Sequence, residues 1–388
     1  MSFPSTFRFL PLPTEIHFGP GILSTLPERI RALGGGPSLL VTDPGMRAAG
    51  LVARVEELLR GAGLACRVYD AVTPDSGTSL IAEATALAKQ TGAAIIIGLG
   101  GGSSLDTAKA VAAMCTNPGN ILDYAGIDKL KHKPLPVVAI PTAAGTGSEV
   151  TFWSVFLDDH TRVKAAVGGV LLFPSVALCD PELTLTLPPS LTAATGMDAL
   201  GHAIECYVND ACQPISAALA LEAIRAIGRH LRSAVLNGRQ IESRSAMLLA
   251  STMAGIAMNS TRLGLAHAFA MPLGSFDLRM PHGLAIGITL PYVMRFNAPA
   301  RPERYAEIAS ALGECVAGLP LREAAARAGD AVAALARDIG IPARLSQAGM
   351  REEHIEPVAA EAIKSGNVAV NPRRATLEDL KAILKEAL

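Results

Sequence analysis

Residues 93–109 read AAIIIGLGGGSSLDTAK: an apolar run that breaks into glycines and then becomes helical in pattern. A continuous run such as AAIII (93–97), bounded by glycine, suits a strand buried on both faces of a parallel sheet. The glycines Gly98, Gly100, Gly101 and Gly102 let the backbone turn tightly and approach a ligand closely. Free N–H groups at the start of the following helix favour an anion, and a dinucleotide's diphosphate is the usual one. The plainer alternative is a glycine-rich turn that only closes a βα unit.

Working outward, PVVAI (136–140) is a second buried run, followed by another glycine-rich loop, PTAAGTGSE (141–149). SLLVT (38–42) is a third, ending at Asp43. Loops that follow adjacent strands of one sheet open into one crevice, where α/β folds bind ligands. A carboxylate at Asp43 can accept hydrogen bonds from ribose hydroxyls and repel a 2′-phosphate, favouring NAD over NADP. It can equally form an Asx-type turn before Pro44.

After Thr186 the texture changes. LPPS (187–190) reads as a boundary, with Ser190 placed to cap a helix, and the pattern is helical almost to the end. Leu321, Ala325, Ala328, Val332, Leu335 and Ile339 recur at steps of 4 and 3, one apolar face, with Pro342 as the stop. The expected organisation is an α/β nucleotide-type domain over 1–185 and an all-α domain over 186–388.

Composition narrows the function classes. The chain has 388 residues, enough for about two domains. Lys plus Arg is 34 against 35 Asp plus Glu, a formal net charge of −1, without the basic excess a nucleic-acid binder carries. The opening MSFPSTFRFLPLP lacks an apolar run behind a basic start, so no secretory signal is expected. The uncharged stretches 165–179 and 245–261 fall short of the roughly 18 apolar residues of a membrane span and read as buried core. Six cysteines without a C-x-x-C pair indicate a reducing cytoplasm, with most thiols packed as small apolar groups.

Asp198 and His202 stand at i and i+4 in GMDALGH, on one face of a helix. His267 lies in the uncharged stretch GLAHAFA, and His282 follows in PHG. One aspartate and three histidines could hold a divalent ion such as Fe(II) or Zn(II). Taken singly, each histidine reads as well as a satisfied core residue.

At these residues the sequence resembles the iron-containing (group III) alcohol dehydrogenase family over nearly the whole chain. The resemblance is carried by GGGSSLDTAK (100–109), PTAAGTGSEVT (141–151), DPELTLTLPPSLTAATGMDALGHAIECY (180–207), LGLAHAFAMPLG (263–274) and PHG (281–283), in that order. It implies a Rossmann-like N-terminal domain, a helical C-terminal domain (the dehydroquinate synthase-like fold) and an active site in the cleft between them. It further implies that Asp198, His202, His267 and His282 ligate the metal. Gly100, Gly101, Gly102, Ser103 and Asp106 then match the pyrophosphate loop, Thr142 and Thr146 contacts near the nicotinamide, Asp43 the adenosine-ribose acid, and Lys164 a cofactor-contacting lysine. Family members form dimers and larger assemblies, so a homo-oligomer is expected.

The chain departs from the family pattern at several points. Met271 stands four residues after His267, where relatives usually carry a second histidine proposed to assist proton transfer. The gap to His282 is one residue longer than the family pattern, which should reshape residues 275–280. The usual P-N-P-T reads Pro74-Asp75-Ser76-Gly77. Arg262 stands where small residues are common; it reads as a clamp for an anionic substrate group, or as an ion-paired or snorkelling side chain at a helix edge. Arg262, Met271 and Phe152 are the candidate substrate-facing positions. The activity implied is reversible hydride transfer between NAD(H) and a primary alcohol or its aldehyde, on a small-molecule substrate. The alternatives are a maleylacetate reductase-like or semialdehyde reductase acting on a carboxylate-bearing substrate, and a nucleotide-binding protein without catalysis.

Overall fold

The computed structural model describes residues 3–4, 6–275 and 278–388. The chain divides into two compact units: Pro11–Thr186, and Leu187–Leu388 together with the described residues before Pro11.

The first unit is built on a six-stranded parallel sheet of β1 (Glu15–Phe18), β2 (Ser38–Val41), β3 (Cys66–Tyr69), β4 (Ile95–Gly100), β6 (Val137–Pro141) and β9 (Val176–Cys179), in the order β1-β9-β6-β4-β2-β3. A second sheet of β5 (Gly126–Ile127), β8 (Lys164–Gly168) and β7 (Trp153–Leu157) pairs β5 parallel and β7 antiparallel to β8. The helices between strands are α1 (Leu26–Ala32), α2 (Pro44–Ala48), α3 (Leu51–Gly61), α4 (Thr78–Gln90) and α5 (Gly102–Thr116).

The apolar runs split by alternation. Ile96, Leu39, Val41 and Val137 enter one core cluster, whereas Ile95, Ile97, Leu99, Leu40, Val138 and Ile140 enter the other. Successive side chains of a strand point to opposite faces, so an unbroken apolar run is what a sheet covered on both sides requires. Strand order reverses at β2, which pairs with β3 on one side and β4 on the other. Asp43 follows β2 and Gly101 follows β4, so both lie at the carboxyl ends beside this switch point, where α/β sheets bind ligands.

The second unit is helical: α6 (Pro189–Val208), α7 (Pro214–Leu236), α8 (Ile241–Thr261), α9 (Leu265–Leu273), α10 (His282–Asn297), α11 (Pro302–Ala311), α12 (Leu321–Asp338), α13 (Ile355–Ala362) and α14 (Leu377–Ala387). In α6 every residue from Gly196 to Val208 is buried, which makes it the central helix of the unit.

Local details differ from the sequence reading. The strand expected at 93–97 starts at Ile95 and runs on through Gly98 and Leu99 to Gly100, because pairing with β6 continues to Gly100 and Pro141. α6 begins at Pro189 with Pro188 at its N-cap, so Ser190 sits inside the first turn and does not cap it. α12 ends at Asp338, ahead of Pro342, because Gly340 takes a left-handed φ of 81° just beyond it; Leu321, at its exposed start, leaves the apolar face. Within 165–179, Val170 and Leu171 form an exposed turn between β8 and β9. Only Cys179, Cys206 and Cys212 are buried; Cys66 and Cys115 are half-buried and Cys315 is exposed.

Candidate metal centre and cofactor cradle

In the helical unit, Asp198 Oδ1 lies 3.8 Å from His202 Nε2, 3.4 Å from His267 Nε2 and 3.7 Å from His282 Nε2. Donor atoms of Asp198, His267 and His282 all lie within 4.8 Å of one another, and the His202 ring stacks on that of His267 at a centroid separation of 4.5 Å. Three segments distant in sequence meet here: the middle of α6, the first turn of α9 and the first residue of α10. Two glycines allow the approach. A Cβ on Gly201 would fall 2.6 Å from Ile286 Cγ2, and one on Gly283 would fall 2.2 Å from the Ala194 carbonyl oxygen. The glycine of PHG therefore brings the start of α10, and with it His282, against α6.

Behind His267 stands Glu205, which the sequence reading did not single out. Its Oε2 is 2.6 Å from His267 Nδ1 and accepts from the Gly264 N–H at 2.8 Å, while Oε1 accepts from the Ala266 N–H at 2.7 Å. The carboxylate thus caps the N-terminus of α9 and holds the imidazole with Nδ1 turned away from Asp198. The signal was the spacing Asp198, His202, Glu205: i, i+4, i+7 on one face of a buried helix.

The charges are set by these neighbours. Burial alone would push the His267 imidazolium down, but the Glu205 carboxylate and the facing Asp198 outweigh it and hold the group at about 9. Burial alone would raise Asp198; His202, His267 and His282 outweigh it and keep the carboxyl well below the usual range. Asp198 Oδ1 and His267 Nε2 are buried and face each other at 3.4 Å, longer than an ordinary hydrogen bond. The separations leave room for an ion between the donors, and the carboxylate and imidazoles offset one another's charge in its absence. A tetrahedral ion bound at about 2.1 Å spaces its ligand atoms about 3.4 Å apart, close to the separations seen. A carboxylate with three imidazoles suits Fe(II) or Zn(II).

In the α/β unit the glycine loops meet directly. A Cβ on Gly102 would lie 2.6 Å from Thr146 Cγ2, so the glycine admits the second loop against the first. Gly101 caps α5, leaving the N–H groups of Gly101, Gly102 and Ser103 at the helix start. Asp43 accepts from the Met46 N–H at 3.2 Å and from Ser104 Oγ at 3.0 Å. It caps α2 and also stands across the switch point from the loop. Thr142 is buried with its hydroxyl against Met46 Sδ, and Thr146 Oγ1 accepts from the Ser148 N–H. Lys164 pairs with Asp75 Oδ1 at 2.7 Å, and the Asp75 N–H donates to Ser103 Oγ at 3.3 Å. The acid of Pro74-Asp75-Ser76-Gly77 is thus tied both to the lysine and to the loop. Asp106 turns inward: Ser148 Oγ, the Val155 N–H and Lys109 Nζ take its two oxygens.

Of the substrate-facing candidates, Phe152 is buried, tilted against Trp153 and edge-on to Phe173. Met271 is half-buried on α9, one turn beyond His267. Arg262 is exposed; a Cβ on Gly366 would fall 2.1 Å from its Nη1, so the guanidinium rests on that segment of chain. Its backbone has φ 65° and ψ −171°, a region that essentially only glycine occupies. Phe276 and Asp277, in the segment expected to be reshaped, lie outside the described residues.

Residues 13–181 match the family described as "Iron-containing alcohol dehydrogenase", and residues 192–388 match "Fe-containing alcohol dehydrogenase family, C-terminal". The chain is 40% identical over 379 residues to a 1,3-propanediol dehydrogenase of Klebsiella pneumoniae, covering 97% of each. It is 39% identical over 377 residues to an NAD-dependent methanol dehydrogenase of Bacillus methanolicus, covering 97% of this chain and 99% of that one. A crystal structure of a 1,3-propanediol oxidoreductase superposes with a TM-score of 0.96 at 40% identity, over 99% of this chain and all of the other.

Proposed function

We propose a reaction for this chain from one premise: it belongs to the iron-containing alcohol dehydrogenase family. It is a metal-dependent, NAD(H)-linked oxidoreductase that interconverts a primary alcohol and its aldehyde, the activity class of its relatives. The observation that carries the metal-dependent reading is the buried Asp198 Oδ1 facing three imidazole Nε2 atoms at 3.4 to 3.8 Å.

Asp198, His202, His267 and His282 would hold the ion, with iron as the resident metal and zinc able to replace it. A divalent ion there supplies Lewis acidity at the substrate oxygen, and the nicotinamide ring supplies or accepts hydride. The rest is the work of this chain. Glu205 fixes the His267 ring so that Nε2 presents its lone pair. The Asp198 anion offsets the ion's charge in a dry setting. N–H groups of Gly100, Gly101, Gly102 and Ser103 bind the diphosphate, and Asp43 accepts from the adenosine ribose and disfavours NADP. Thr142 and Thr146 face the nicotinamide half, and Lys164, paired with Asp75, contacts the cofactor. Met271 has no exchangeable proton, so the alcohol proton passes to water, to a ribose hydroxyl or to another side chain.

The free cysteines support a reducing, cytoplasmic setting. β1 and β3, the outer strands of the sheet, support assembly into a homo-oligomer. No helix among the described residues is long and apolar enough to cross a membrane.

The test is NADH oxidation with short aldehydes and semialdehydes, using protein prepared without oxygen, stripped with chelator and returned Fe(II), Zn(II) or nothing. Turnover restored by metal supports the reading. Equal turnover without metal overturns the four-ligand mechanism.

A further inference from the structure

Lys109 is a buried cation of the α/β unit, with only 1% of its side chain exposed. Its Nζ donates to the carbonyls of Ser148 at 3.1 Å, Thr151 at 3.5 Å and Trp153, and lies 2.9 Å from Asp106 Oδ1. Asp106 in turn accepts from Ser148 Oγ at 2.5 Å and from the Val155 N–H at 2.9 Å, and its backbone carbonyl accepts from Ser154 Oγ at 2.8 Å. Asp106 and Lys109 stand three residues apart on α5, the helix whose start forms the first glycine loop. All their partners lie in the segment that leaves the second glycine loop, from Ser148 to Val155.

We propose that Asp106, Lys109 and Ser148 form a clamp that fixes the second glycine loop against the start of α5 before the cofactor arrives, so that Asp106 is a positioning residue for NAD(H) and not a contact. This rests on the reading that the two loops hold the two halves of the cofactor. A buried ammonium is tolerated only when paired and hydrogen-bonded, and here four oxygens meet it. The pairing also keeps the anion of Asp106, one turn inside α5, from opposing a diphosphate at the helix start. A loop held in its binding conformation beforehand loses less freedom on association, so affinity depends on the clamp. The part of the cofactor most sensitive to it is the nicotinamide half, which meets the second loop. ADP-ribose lacks the nicotinamide ring of that half.

The experiment measures dissociation constants for NADH and for ADP-ribose in Ser148→Ala, Asp106→Asn and the double variant, with thermal melts of each. Ser148→Ala removes one tie without stranding a charge, and should weaken NADH about threefold; Asp106→Asn should weaken it about tenfold. Both should weaken ADP-ribose less than NADH. Because the two residues act as one device, the double variant should bind NADH no worse than Asp106→Asn alone. Three results overturn the clamp: unchanged NADH affinity in both folded single variants; equal weakening of NADH and ADP-ribose, which makes Asp106 a diphosphate contact; or additive losses in the double variant. A wild-type chain that binds neither ligand overturns the cofactor reading itself.

Discussion

The two units present their candidate ligand-binding residues in opposite states. In the helical unit, Asp198 Oδ1 and His267 Nε2 are buried and face each other only at 3.4 Å, although Glu205 and the α9 backbone hold the surroundings firmly. In the α/β unit, the corresponding candidates are occupied by the protein: Asp43 by Ser104 and Met46, Asp75 by Lys164, Asp106 by Ser148, Val155 and Lys109. A metal centre reveals itself by what its donors lack, because donor atoms that satisfied one another would leave nothing for the ion. A dinucleotide cradle reveals itself by backbone shape, because its chief donors are main-chain N–H groups at a helix start, and its side chains can serve the fold until the cofactor arrives. The first site should therefore respond steeply to single side chains, and the second by small steps.

The largest response expected is to Asp198→Asn. Removing the one anion that faces three imidazoles should leave no retained metal after anaerobic loading and buffer exchange, and lower aldehyde reduction by more than about 1,000-fold. NADH binding should persist; its loss in the same variant would break the contrast between the units. Next comes Glu205→Gln, which keeps shape but removes the charge behind His267. Metal affinity, read by competition with a chelator, should fall about 10- to 100-fold, with the helical fold retained in circular dichroism.

A pH series sharpens the same point. In the metal-free chain His267 is held at about 9, so at neutral pH its proton must leave before an ion binds. Zn(II) affinity should rise with pH by about tenfold per unit through this proton and level off above about pH 9. A flat profile across neutral pH would place the ion elsewhere. The smallest effect concerns Arg262, which holds a glycine-type backbone conformation just before α9. Arg262→Gly should stabilise the chain by about 1 kcal/mol, seen as a higher urea midpoint, as relief of strain outweighs the added freedom of the unfolded glycine.

The sheet was legible because a parallel strand buried on both faces needs an unbroken apolar run, but Gly98 and Gly100 belong to β4 and Gly102 to α5, so the glycine run marked the turn without giving its bounds. Asp198 and His202 were legible through i, i+4 spacing. Glu205 shared that face but passed unnoticed, since its partners, the N–H groups of Gly264 and Ala266, lie about sixty residues on and are invisible to local spacing. The inward turn of Asp106 was hidden for a similar reason: β7 approaches α5 only in the folded sheet. Leu321 misled because periodicity marks a face but not how far a core extends along it. Ser190 misled because Pro188 had already set the helix start two residues earlier. Arg262 marks the limit of residue-type reasoning, since an arginine gives no hint of a backbone conformation that belongs to glycine.

The most direct test of the account is a titration of the chelator-stripped chain with Fe(II) under anaerobic conditions, in the absence of cofactor. The account predicts one ion bound per chain, with protons released and the melting temperature raised, and neither effect in Asp198→Asn. Undiminished binding by Asp198→Asn, or no binding by the wild-type chain, would contradict it.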